Sequence, residues 1–124
     1  MAWDVFVYGT LRRGFCNHGW LGGAAFCGTA TTARAYGLYL EAGIPYLAAD
    51  EARYPVVGEV YRVTDAHTLA GLDDLEEHPQ VYERRQTAVV MDADGEIRTA
   101  WVYFARRPPG VAMATGDFAA LNRL

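Results

Sequence analysis

With 124 residues, 52% of them hydrophobic, the chain is long enough to bury a sizeable core as one domain over residues 1–124, and no linker or repeat divides it. Eleven basic side chains, every one an arginine, stand against fifteen acidic ones for a formal net charge of −4, which argues against a nucleic-acid or anionic-membrane surface. Asp4 interrupts any leader-like start, the stretch from Phe15 to Ala33 is too polar to span a bilayer, and two cysteines without CxxC spacing make no disulfide framework, so a cytoplasmic chain with Cys16 and Cys27 reduced is expected.

The first element is a short apolar run, Val5, Phe6, Val7 and Tyr8, whose β-branched and aromatic residues read as a buried strand. It runs directly into Gly9-Thr10-Leu11-Arg12-Arg13-Gly14. Gly9 lets the backbone turn and approach a ligand, and the N–H groups of Gly9, Thr10 and Leu11 are placed to converge on an anion or a developing oxyanion. Arg12 and Arg13 are expected to be ordinary surface charges of that loop, with anion binding as the alternative. Residues 24–32 and 36–40 have strand character, with glycines that suggest bulges. "GIPYLA" at 43–48 reads as a turn feeding an extended segment, and "VVGEVYRV" at 56–63 as a strand.

A helix follows, with Thr64 or Asp65 as N-cap, "AHTLAGLDDLEE" as body, His78 in its last turn and Pro79 as its stop. Two longer strands, 82–91 and 96–104, are joined by "DADG", whose Asp-Gly pair suits a tight hairpin turn. The last twenty residues open with "RRPPG" and close with a short helix capped at Asp117. Many strands and one firm helix give an α+β class, a small mixed β-barrel with flanking helices rather than a doubly wound sheet. Neither GxGxxG nor GxxxxGK[ST] occurs, so dinucleotide and P-loop chemistry drop out. His18, His67 and His78 lack ligand spacing, and no metal site is expected.

The helix carries four carboxylates, Asp73, Asp74, Glu76 and Glu77. At about 100° per residue, Leu69, Leu72 and Leu75 define an apolar stripe; Glu76 falls roughly 40° from its centre and the other three roughly 100° or more away. A carboxyl on the apolar side of a helix C-terminus meets desolvation and the negative end of the dipole, both of which favour its protonated form. That is the state a proton-shuttling glutamate needs. The alternative is structural: Glu76 at the edge of the stripe, paired with Arg84 or Arg85.

Taken together, these segments resemble the gamma-glutamylcyclotransferase superfamily, and within it gamma-glutamylamine cyclotransferase and its plant and bacterial relatives. The resemblance rests on "VFVYGTLRRG" followed by Asn17-His18, then "GIPYL", "GEVYRV", "LDDLE" at 72–76, Pro79 and Tyr82-Glu83-Arg84, in that order. It implies a compact β-barrel with a ligand cavity at one end, no cofactor, and a small γ-glutamyl compound as substrate. It also implies that Glu76 is the catalytic residue and that Tyr8, Gly9, Thr10 and Leu11 bind the glutamyl portion through backbone groups, with Tyr82 donating its hydroxyl or walling the cavity. Glu77 and His78 depart from the small residues expected after the glutamate in the animal amine-specific enzymes.

The chemistry so implied is an intramolecular cyclisation: the substrate's α-amine attacks its own γ-carbonyl, 5-oxoproline forms, and the attached amine leaves. One carboxyl group can take the first proton and deliver the second. The loop matches the amine branch most closely, so γ-glutamyl amines are expected to be preferred over γ-glutamyl α-amino acids. A non-catalytic binder of γ-glutamyl or other amino-acid-like ligands, or a stress-related interaction module, would keep the same loop or barrel. Retention of Glu76 favours the enzyme.

Overall fold

In the computed structural model, which describes residues 2–123, strand β1 (Trp3–Val7) is buried on both faces. Its alternation sends Phe6, and Tyr8 just beyond the strand, into one apolar cluster and Val5 and Val7 into another. A strand covered on both sides needs no polar face, which is why it reads as a continuous apolar run.

The remaining strands are β2 (Ala25–Thr32), β3 (Gly37–Glu41), β4 (Ile44–Ala48), β5 (Val57–Val63), β6 (Tyr82–Met91), β7 (Ile97–Ala105) and β8 (Val111–Ala112), with helix α1 (Ala66–Leu75) between β5 and β6. Five of them close a barrel in the order β1-β5-β2-β6-β7. Its pairs are antiparallel except at the seam, where β1 runs parallel to β7 with Val5 opposite Trp101. Closure leaves these strands no free edge. Strands β4, β3 and β8 form a separate antiparallel sheet in that order. The expected bulge is in β2, where the register with β5 shifts between Phe26 and Gly28 and Gly28 takes a φ of 134°.

Helix α1 covers the second cluster with Leu69 and Leu72, against Val5, Val7, Tyr61 and Val63. Of the two possible N-caps the chain uses Asp65, whose carboxylate accepts the His67 N–H at 3.0 Å and the Thr68 hydroxyl at 3.2 Å. The helix ends at Leu75, two residues before the end of the expected body. The His78 N–H donates to the Asp73 carbonyl at 2.9 Å and the Glu77 N–H to that of Asp74 at 3.1 Å, the bond pair of a Schellman motif. Glu77 occupies the left-handed position that glycine normally fills, with φ of 50°. The chain reverses there, so periodicity carried through Glu77 overran the helix.

The tail supplies β8 against β3, a two-residue strand too short to carry a pattern, and a 3-10 turn, Phe118–Arg123, whose Ala119 N–H is capped by the Asp117 carboxylate at 3.0 Å. Asp117 also corrects the expectation for Arg12. That side chain is buried, with its Nη1 donating to Asp117 Oδ1 at 2.9 Å and its Nε 3.6 Å from Glu59 Oε2. Glu59 in turn accepts the Arg13 N–H at 2.9 Å and the Tyr61 hydroxyl at 3.0 Å. The "RRG" segment is therefore fastened to β5 and to the tail. Because removing the cation leaves the buried carboxylate of Glu59 and the partly buried one of Asp117 without it, Arg12→Met is expected to cost about 3 kcal/mol of stability, read from denaturant unfolding; a loss indistinguishable from zero would mean the cluster contributes nothing.

Candidate active site

The loop after β1, the β3–β4 turn, the end of α1 and strands β6 and β7 wall a cavity of about 460 Å³. Tyr8, Gly9, Thr10, Leu11, Glu76 and Tyr82, scattered over the sequence, all line it.

The loop is pinned by hydrogen bonds to its own carbonyls and to the Thr10 hydroxyl. Arg12 N–H donates to the Gly9 carbonyl at 3.0 Å, Asn17 N–H to that of Thr10 at 2.9 Å, and Asn17 Nδ2 to Thr10 Oγ1 at 2.9 Å. His18 Nδ1 lies 2.9 Å from the Leu11 carbonyl, a contact that requires its proton on Nδ1. With the carbonyls engaged in this way, the N–H groups of Gly9, Thr10 and Leu11 donate to no backbone carbonyl among the described residues. Gly9 is required for its size rather than for a left-handed φ: a Cβ there would lie 2.4 Å from Pro45 Cγ, so any side chain would push the loop and the start of β4 apart.

Tyrosines build much of the wall. Tyr8 donates its hydroxyl to the Tyr103 carbonyl at 2.6 Å, and Tyr82 donates to the Pro45 carbonyl at 2.9 Å. Tyr46 stacks on Tyr82 with ring centroids 5.4 Å apart and planes 4° from parallel. The Tyr82 hydroxyl is thus already committed, and the residue acts as wall. Burial raises the pKa of Tyr8, Tyr82 and Tyr103 above the phenolic norm, so all three are neutral at physiological pH.

Glu76 is the C-cap of α1 and sits largely buried in the cavity wall. Burial raises its pKa from the ordinary 4.5 to about 7. The ion pair that would have made it structural is absent: Arg84 is bound to Asp73, Arg85 to Glu83, and Glu76 has no salt-bridge partner among the described residues. Arg13 lies over the Phe26 ring at 4.1 Å, and among the described residues no arginine lines the cavity and its only charged side chains are the carboxylates Glu76 and Glu77.

Sequence reasoning did not single out Tyr46, Tyr103 or Ile44 as lining residues, since nothing in their strands marks that β4 of the small sheet and β7 of the barrel meet at one cavity. Asn17 had a signal, its position directly after the loop, but its bond to Thr10 is a property of the fold. Among the described residues no helix is long and apolar enough to cross a membrane, and no three His, Cys, Asp or Glu side chains are grouped to hold a metal ion.

A family model described as gamma-glutamyl cyclotransferase, AIG2-like, matches residues 5–120. The chain belongs to this family. A protein of Methanocaldococcus jannaschii, named provisionally as a gamma-glutamylcyclotransferase, is 41% identical over 115 residues, covering 92% of this chain and 93% of its own length. The gamma-glutamylaminecyclotransferase of Mus musculus is 38% identical over 101 residues, 74% of this chain and 67% of its own. The crystal structure of an AIG2-like protein from Mus musculus superposes with a TM-score of 0.74 at 33% identity, over 85% of this chain and 78% of that one. The closed five-stranded barrel with its single α-helix is the AIG2-like fold, and the names of the family and its members support a gamma-glutamylcyclotransferase activity.

The displaced titration of Glu76 bears on stability with a definite sign. A carboxyl whose native pKa lies above its unfolded value holds extra protons in the native state, so stability falls as pH rises from about 4.5 to about 7 and stays lower above that. Glu76→Gln removes the charge, and is expected to be more stable than the native chain at pH 8 by roughly 2–3 kcal/mol, with the difference vanishing near pH 4. Denaturant melts at the two pH values measure it; equal differences at both would show that Glu76 titrates normally.

Proposed function

We propose that this chain is a cofactor-independent cyclotransferase that converts a γ-glutamyl amine to 5-oxoproline and the free amine, with Glu76 moving the proton. The observation that carries this reading is a desolvated glutamate without a countercharge, on the wall of a cavity lined by a loop with free amides.

The substrate brings its own nucleophile. Its α-nitrogen attacks the γ-carbonyl carbon, a C–N bond forms in a five-membered ring, and the bond from that carbon to the departing nitrogen breaks. Glu76, as carboxylate, takes a proton from the α-nitrogen and, as carboxylic acid, gives one to the departing nitrogen, ending as it began. A pKa of about 7 keeps both forms available at neutral pH. Tyr8 and Tyr82 enclose the glutamyl chain in its folded shape, and a well-oriented intramolecular attack reaches effective molarities on the order of 10⁵ M or more. The N–H groups of Gly9, Thr10 and Leu11 receive the α-carboxylate or the oxyanion that develops on the γ-carbonyl.

The lining supports an amine rather than an α-amino acid as leaving group. A second α-carboxylate would enter a cavity with no cation and two acidic side chains, Glu76 and Glu77, and would lose its hydration without compensation. An alkylamine meets the apolar side chains of Ile44 and Val81, both partly exposed in the lining.

Incubation with a γ-glutamyl alkylamine and with γ-glutamyl-alanine, followed by measurement of 5-oxoproline, tests both levels. The alkylamine is expected to have the higher kcat/KM by about tenfold, the equivalent of one poorly compensated carboxylate, and Glu76→Gln is expected to release no product above background while still binding substrate. A preference for γ-glutamyl-alanine would refute the amine assignment alone; wild-type turnover in Glu76→Gln would refute the proton shuttle.

A further inference from the structure

Glu76 is held in place by groups outside the cavity. Its carboxylate makes no ion pair among the described residues, while the residues on either side of it in sequence are tightly anchored. Three residues before it, Asp73 accepts a forked pair of hydrogen bonds from Arg84, Nε at 2.9 Å and Nη2 at 3.1 Å, and a third from the Tyr103 hydroxyl at 2.7 Å. Two residues after it, His78 Nδ1 accepts the Arg84 backbone N–H at 3.0 Å. One residue of β6 therefore grips the chain on both sides of the reversal that carries Glu76. The guanidinium is itself fixed over the Trp101 ring at 4.8 Å, and Tyr103, whose carbonyl receives the Tyr8 hydroxyl, ties the cluster to the start of the substrate loop.

The pair is half-buried, with side-chain exposures of 17% for Arg84 and 22% for Asp73. Burial alone pushes the Asp73 carboxyl up, but the bonds from Arg84 and Tyr103 outweigh it and leave its pKa lowered, so the aspartate is fully ionised. Each charge satisfies the other in a forked geometry that a lysine could not reproduce. Asp73 and Glu76 are three residues apart at the end of one helix and hence side-by-side on its surface, about 5–6 Å between Cβ atoms. By that spacing, Glu76 is the neighbouring carboxylate to which an Arg84 released from Asp73 would be drawn.

We propose, building on the assignment of Glu76 above, that Asp73 and Arg84 form the positioning device of the site: together they fix the chain reversal that presents Glu76 to the cavity, and Asp73 occupies the arginine so that it does not neutralise the glutamate. The groups that face Glu76 across the cavity cannot take over this task. They are Tyr8 from the end of β1, Cys16 from the loop, Tyr46 from β4, Tyr82 from β6 and Tyr103 from β7, with Glu77 beside it, and none of them is a cation. Helical phase alone placed Asp73 away from the apolar stripe and carried no sign of Arg84.

The test reads Glu76 directly. In protein labelled with ¹³C at glutamate carboxyls, the Glu76 resonance is assigned by its absence in Glu76→Gln and titrated in the native chain, in Asp73→Asn and in Asp73→Asn/Arg84→Gln. The native midpoint is expected near 7. Asp73→Asn is expected to lower it by about one unit as the freed arginine turns to Glu76, and to lower kcat about tenfold or more with KM nearly unchanged. The double variant is expected to return the midpoint to the native value. A folded Asp73→Asn whose midpoint does not move overturns the proposal. If that variant does not fold, Arg84→Gln carries the test with the opposite sign, because an unpaired Asp73 must raise the midpoint, and a fall or no change there is equally fatal. Midpoints that behave as expected in a chain that makes no 5-oxoproline would leave the positioning device standing and refute the cyclotransferase reading.

Discussion

A carboxyl group can be left without a cation in an apolar wall only if the surrounding structure forces it there, because its ionised form is costly to desolvate and the group escapes into water wherever the backbone allows. The geometry around Glu76 consists largely of the means to prevent that escape. The Schellman reversal fixes the backbone on its C-terminal side, and the Arg84 grip on Asp73 and His78 fixes it on both. Tyr82 of β6 and Tyr103 of β7 turn their hydroxyls to the Pro45 carbonyl and to Asp73 rather than to the glutamate, and Tyr46 of β4 stacks on the Tyr82 ring. The barrel matters to the site chiefly as the rigid frame that brings those strands to one place.

This arrangement sets function against stability. Ionising Glu76 in the fold is unfavourable, Glu77 accepts a left-handed conformation that glycine would adopt without strain, and Arg12 is buried with only partly satisfied donors, its Nε having no hydrogen-bond partner. Each of these features adjoins the cavity or its loop. Local conflicts of this kind concentrate where a protein works, and the closed barrel, with its double-sided first strand, supplies the stability that tolerates them.

The sequence made some of this legible and not the rest, for reasons that are physical. Strand β1 showed itself because burial on two faces leaves no polar position, and β6 and β7 because two long β-prone runs flank an Asp-Gly pair that is chemically distinctive. The leucine stripe placed Glu76 on the inward side of α1 because phase persists up to the last hydrogen-bonded residue, and Glu76 still donates its N–H to Leu72 at 3.0 Å. One residue later the phase had no meaning, and the reversal at Glu77 carried no glycine to announce it. Arg12 looked like a surface charge because its partners, Glu59 and Asp117, are 47 and 105 residues distant in the chain. The Arg84 partner of Asp73 was hidden for the same reason: helical phase locates a side chain around an axis but is blind to an arginine arriving from another strand. The residues of the loop marked it as a place for an anion or an oxyanion, and the likeness to gamma-glutamylcyclotransferases supplied the ligand class that spacing alone left open.

The central claim is that a glutamate made weakly acidic by burial moves the proton of the cyclisation. The pH dependence of kcat for a γ-glutamyl alkylamine tests this most directly, since it reports the ionisation of the enzyme–substrate complex. The account predicts an acidic limb with a midpoint close to 7, where protonated Glu76 can no longer act as base. A limb at the ordinary carboxylate value near 4.5, or a rate flat from pH 5 to pH 8, would contradict it.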